Sequence, residues 1–135
     1  MASISTTGLD EAITELSRMA HGMGDCCSDM VEAAGRVIID SWVDTGTKRG
    51  LIDSGAMLAS VDQVTGHDDA WYTEVYPQGS SSAGKHKKAV RNAEKAFVLN
   101  YKPGKGSGWV NEAEEKCKDD AVAAAESVYM SYRFN

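Results

Sequence analysis

The stretch Arg91–Glu114, RNAEKAFVLNYKPGKGSGWVNEAE, decides how this chain is read. Apolar residues recur with helical spacing at Ala89, Ala93, Ala96 or Phe97, and Tyr101. A strand over Ala96–Tyr101 is the competing reading, because a short apolar run suits either element. Lys102–Gly108 (KPGKGSG) breaks regular structure. A last helix is expected from about Val110 to Tyr132, opened by Trp109, with Asn111 and Glu114 at capping-box spacing. Ala113, Cys117, Ala121, Ala124, Ala125, Val128 and Tyr132 line its inner face, and small residues there permit close packing. No residue of the stretch has catalytic character; it reads as a structural joint.

Working outward, two further helices are expected at the N-terminal end. Leu9, Ile13, Leu16 and Ala20 share one face of a helix over Leu9–Ala20, ended by Gly22 and Gly24. Asp25 is placed to cap a second helix, Cys26–Trp42. Its broad apolar face (Cys27, Met30, Val31, Ala34, Val37, Ile38, Trp42) makes it the expected core helix. Asp44–Asp53 is polar and turn-rich, and a short turn follows through Met57 and Leu58. Ser60–Thr65 and Ala70–Tyr76 read as two strands around a hairpin turn at Gly66–Asp69, with His67 in the turn. Pro77–Gly84 (PQGSSSAG) is a low-complexity loop leading into Lys85, Lys87, Lys88 and Arg91, so a flexible basic loop is expected at about 77–92.

A length of 135 residues suits a single domain, 1–135. A hydrophobic share of 42% and a charged share of 25% are those of a globular protein, and no apolar run approaches a membrane span. MASISTTGLDEA has no basic n-region or apolar h-region, so no signal peptide is expected. Cys26, Cys27 and Cys117 make a poor disulfide framework, and His21, His67 and His86 share no metal-ligand spacing with them. No metal, cofactor or catalytic residue is expected, and a reducing folding environment fits.

The net charge of −6 is unevenly placed: −9 over residues 1–78, +6 over 79–107 and −3 over 108–135. A basic middle between acidic ends can pair with the acidic face of another copy or follow phosphates, or simply be solvated. Gly79–His86 approaches the phosphate-loop pattern, but His86 stands where a Ser or Thr must hold magnesium, and the remaining chain has no parallel-sheet context. Ser82 and Lys85 match the SxxK spacing without its partner motifs. The run Lys85–Arg91 lacks the interleaved aromatics of a single-strand binder and any helix-turn-helix or zinc motif. Carboxylates at Glu112, Glu114, Glu115, Asp119 and Asp120 alternate with Lys116 and Lys118 as on a solvated helix face. Of the tryptophans, Trp42 is expected in the core, and Trp109 is open to either core or interface.

Four pieces, in order, carry a family resemblance: Gly8-Leu9-Asp10-Glu11 with Leu16; Asp53-Ser54-Gly55-Ala56-Met57-Leu58-Ala59-Ser60-Val61; Arg91–Tyr101 (RNAEKAFVLNY); and Gly108-Trp109 with Ala113. Together they resemble the tailed-phage neck and tail-completion family, the gene-product-ten-like proteins of lambdoid siphophages. Leu58 stands where that family often has Arg, and Lys102-Pro103 displaces a glycine to Gly104.

The resemblance implies an α+β fold, a small antiparallel sheet packed against two N-terminal helices and a long C-terminal helix. It implies a non-enzymatic structural protein of the virion, assembled in the host bacterial cytoplasm. The expected partners are copies of itself in a six-fold ring, head-completion or connector proteins, and tail-terminator or tail-tube proteins, with nonspecific contact with genome DNA and none with membrane. The residues expected at assembly or lumen contacts are Lys85, Lys87, Lys88, Arg91 and Trp109. The alternative reading is a nucleic-acid-binding accessory protein using the basic 85–91 loop.

Overall fold

The computed structural model describes residues 6–51, 55–81 and 90–132, with side chains from residue 22 onward. The fold is α+β. Helix α1 (Thr6–Lys48) is followed by α2 (Gly55–Ala59), a β1–β2 hairpin (Val61–His67, Trp71–Pro77) and a short β3–β4 pair (Ser80–Ser81, Val90–Arg91). Helices α3 (Asn92–Tyr101) and α4 (Trp109–Ser131) complete it.

The two helices expected at the N-terminal end are one. Gly22 and Gly24 do not end the first, and Asp25 caps nothing, because α1 runs through all three. Each interior glycine costs a helix about 1 kcal/mol, which tertiary packing offsets here. At 100° per residue, the Leu9–Ile13–Leu16–Ala20 stripe falls in line with Cys27, Val31, Ala34, Ile38, Trp42 and Thr45, so two amphipathic faces are one stripe. Over residues 27–45 that stripe is the inward face: Trp42 and Thr45 are buried, and Ile38 packs against the core. The helix also continues through Asp44–Lys48, expected as turn, and ends where Gly50 takes a positive φ of 74°.

Helix α4 lies antiparallel along one flank of α1. Ser41 Oγ donates to Ala113 O (2.7 Å), and the Tyr132 hydroxyl donates to the Asp29 carboxylate towards the other end. The small residues Ala113, Cys117 and Ala121 are buried at this seam, while Ala124, Ala125, Val128 and Tyr132 are half-buried. The hairpin covers the other flank. Gln63 donates from Nε2 to Glu32 O (3.0 Å) and accepts from Thr73 Oγ1 (2.8 Å) directly over Gly35. The ladder continues to Gly66–Tyr72 and His67–Trp71, so the turn lies at Asp68–Ala70, later than expected, and His67 is a strand residue against Trp71. Between hairpin and α4 runs an open trough of about 680 Å³, floored by Ile38 and Trp42 and walled by Val75 and Ala121.

The core gathers at the C-terminal end of α1. Trp42 and Trp109 meet edge to face, 5.4 Å between ring centroids, and Leu51, Met57, Leu58, Val61, Ala96 and Ala113 close around them. Helix α4 starts differently from the expected capping box. Its N-cap is Gly108 in the left-handed region (φ 72°), a position glycine occupies without strain. The Val110 amide donates to the Asn100 side chain (3.0 Å), so a residue of α3 does the capping.

Candidate assembly surface

Asn92, Ala96 and Asn100 form the buried face of α3. With Ala96 facing inward, Phe97, Val98 and Tyr101 turn out, 65, 52 and 68% exposed. The Phe97 and Tyr101 rings lean on each other, 4.7 Å apart and inclined at 46°. Beside them a groove of about 340 Å³ is lined by Tyr76, Pro77, Ala93 and Val110. Arg91 and Lys102 are exposed at the two ends of α3, and exposed Glu94, three residues before Phe97 and four before Val98, shares the outward side of the helix. An apolar patch ringed by charge is the usual composition of a protein interface.

Of the residues expected at contacts, Arg91 is exposed at the end of β4 and forms the N-cap of α3. Lys85, Lys87 and Lys88 lie outside the described residues. The base of their segment is tightly organised: Ser80 pairs with Arg91 and Ser81 with Val90. Asn92 Nδ2 donates to Gln78 O (2.8 Å), Ser81 Oγ donates to Asn92 Oδ1 (2.6 Å), and Lys95 Nζ donates to Ser81 O (2.6 Å). The serine-rich loop is therefore paired at its start, where no regular structure was expected.

Trp109 is not a surface contact. It is fully buried, with its ring edge against Gly46 and Nε1 directed at Ala96 O (3.4 Å). The sequence placed it correctly at the head of α4, but burial of the first turn against α1 draws the indole into the core. The sequence signal missed was on α3: Asn92 and Asn100 at i and i+8 bracket Ala96 and leave Phe97 and Tyr101, four residues apart, on the opposite side.

Arg49 ties the other side of this region together. Its Nε donates to Glu112 (2.9 Å), and its Nη1 donates to Ser107 O (2.8 Å) and Lys105 O (3.2 Å). Lys116 adds a second pair to Glu112 (3.3 Å), as the helical spacing anticipated. The bond from Arg49 holds the Glu112 carboxyl below its ordinary value of 4.5; burial opposes the shift and Lys116 reinforces it. A depressed carboxyl contributes stability above its unfolded value, and that contribution is lost as pH falls through the folded one. Acid should therefore weaken the wild type below pH 4.5, the ordinary carboxyl value. Arg49→Ala should show a smaller loss across that window in urea unfolding curves; identical pH dependence would remove Arg49 from the account.

Burial, with Cys27 and Asp29 nearby, pushes the Cys26 thiol up and so away from the thiolate. No helix among the described residues is long and apolar enough to cross a membrane. No family model matches the chain, and no curated protein or solved structure matches it.

Proposed function

We propose that this chain is a structural virion protein of a tailed bacteriophage, forming a ring in the neck at the head–tail junction as a neck or tail-completion protein. The observation that carries this reading is the α3 surface: Phe97, Val98 and Tyr101 are exposed on one side of the helix, with exposed Arg91 and Lys102 at its two ends. Such a patch on an otherwise acidic chain suits association with other protein surfaces. The four family-like segments support the reading further, because they fall on successive structural pieces. The first opens α1, the second spans α2, the third is α3 and the fourth starts α4.

Reversing Lys85, Lys87, Lys88 and Arg91 to Glu in a phage encoding this chain should leave unjoined heads and tails. Labelled antibody against the chain should mark the junction of wild-type particles. Normal titres of correctly joined variant particles, or label elsewhere on the virion, would reject the reading. A second reading, nucleic-acid contact, draws on the same exposed aromatics beside bases. It requires DNA affinity that falls steeply with salt, and no binding at low salt removes it.

A further inference from the structure

Hydrogen bonds at both ends of the hairpin fix the direction of each backbone group in β2. The Gln78 amide donates to Ser60 O (2.9 Å) and the Asp68 amide to Ala70 O (3.1 Å). In that register the pairs Asp62–Tyr76, Val64–Glu74 and Gly66–Tyr72 exchange the ladder bonds. Thr73 and Val75 belong to the alternate pairs, so their N–H and C=O groups point away from β1. Among the described residues these groups have no hydrogen-bond partner. Thr73 and Val75 are also the β2 residues that line the trough facing α4, so the unpaired edge of the sheet opens into it.

The trough continues past the hairpin. Trp42, Asn111 and Glu114 line both it and the groove beside Phe97 and Tyr101. Together they make one channel along α4 from Ala121 to Val110, about 16 Å of helix, the length of about five extended residues. Its floor is apolar at Ile38 and Trp42. Its α4 wall carries Glu114, Glu115 and Lys118, all exposed and, among the described residues, outside any ion pair. A strand added to β2 would lie about 4.8 Å from it, between β2 and α4. The described residues of a second copy offer no free segment of that length: β1 and β2 are paired with each other, and β3 and β4 have two residues each.

We propose that this channel takes an extended segment of another protein, added as a third strand to the edge of β2. Its backbone pairs with Thr73 and Val75, and its alternate apolar side chains rest on Ile38 and Trp42. A lysine or arginine between them meets Glu114, the carboxylate common to both grooves. Main-chain bonds give such a contact its affinity, and the alternating side chains give it selectivity. Phe97 and Tyr101 stand at the end of the same channel and cover the end of the segment. The inference goes beyond the neck reading and does not rest on it, because it is tested on the isolated chain.

The test follows backbone amide resonances of the full chain on addition of two synthetic peptides. One is acetyl-Thr-Val-Lys-Val-Thr-amide; the other has glutamate in place of lysine. At about 1 mM lysine peptide, the Thr73 and Val75 amides should shift, and those of Tyr72 and Glu74, which face β1, should shift less. Val75→Pro removes an outward donor and keeps the β1–β2 bonds, a position where an edge strand tolerates proline. It should weaken binding at least roughly tenfold. Glu114→Lys should reverse the preference between the peptides, and this arm decides the matter if Val75→Pro does not fold. The proposal is overturned if neither peptide moves the Thr73 and Val75 amides, if Val75→Pro folds and binds like wild type, or if wild type does not prefer the lysine peptide. Self-association of wild type that is lost in Val75→Pro would make the occupant a second copy and overturn the assignment to another protein. Each of these failures leaves the neck reading to the antibody experiment.

Discussion

Trp109→Ala is expected to cost about 3–5 kcal/mol of folding stability, the loss typical of a large aromatic removed from a packed core. The indole is fully buried and packs edge to face on Trp42, and its far edge lies against the backbone of α1 at Gly46. Removing it empties the junction where α1, α3 and α4 meet. Natural domains have a net stability of about 5–15 kcal/mol, so the variant should be close to unfolding at physiological temperature. Trp109→Phe should lose much less, because most of the volume stays and the bond to Ala96 O is long at 3.4 Å. Urea unfolding of the three proteins, followed by circular dichroism, measures this. A Trp109→Ala protein as stable as wild type would show that the indole does not hold the core.

The second large effect lies on the helix surface that receives Trp109. A Cβ on Gly46 would stand 2.5 Å from Leu58 Cδ2 and 3.3 Å from Trp109 Cζ3. Leu58 is itself buried, so neither neighbour can yield without disturbing the cluster. Gly46→Val should cost about 3 kcal/mol, at the upper end of overpacking penalties. Gly24, in the same helix, has nothing within 4 Å of an added Cβ. Gly24→Ala should instead stabilise by about 0.5–1 kcal/mol, the ordinary helix gain. The opposite signs test two features together. A destabilising Gly24→Ala would restore the break between two helices, and a harmless Gly46→Val would return Asp44–Thr47 to a surface turn.

These glycines show what a sequence reading can and cannot resolve. Gly22, Gly24 and Gly46 all look like helix stops by local preference, since each weakens a helix by a similar amount. Local preference was overruled because one apolar stripe runs through all of α1, with α4 and the hairpin clamped on its two flanks. Gly46 was retained in the helix for a reason no local pattern carries: Leu58, twelve residues on, and Trp109, sixty-three residues on, come to rest against it. The same limit applied at the start of α4. Asn111 and Glu114 had the right spacing for a capping box, yet the cap came from Asn100 across the Lys102–Ser107 loop.

The candidate surface was half legible. The charge asymmetry located the basic region, and Arg91 is exposed there. The expected contact Trp109 went to the core, and Phe97 and Tyr101, grouped with the inward residues of their helix, came out to the surface. Helical periodicity identifies residues that share a face. It does not say which face is inward when both sides of a ten-residue helix carry apolar groups.

By itself, the sequence determined the hairpin, the last helix, the Trp42 core position and the division into acidic ends and a basic middle. Each depends on short-range alternation, spacing or composition, properties that neighbouring residues carry together. Only the tertiary structure decided that α1 is continuous, that Gly46 packs beneath Trp109, and that Trp109 faces in while Phe97 and Tyr101 face out. Those depend on which distant residues meet, and close packing between remote segments leaves no local periodicity by which to foresee it.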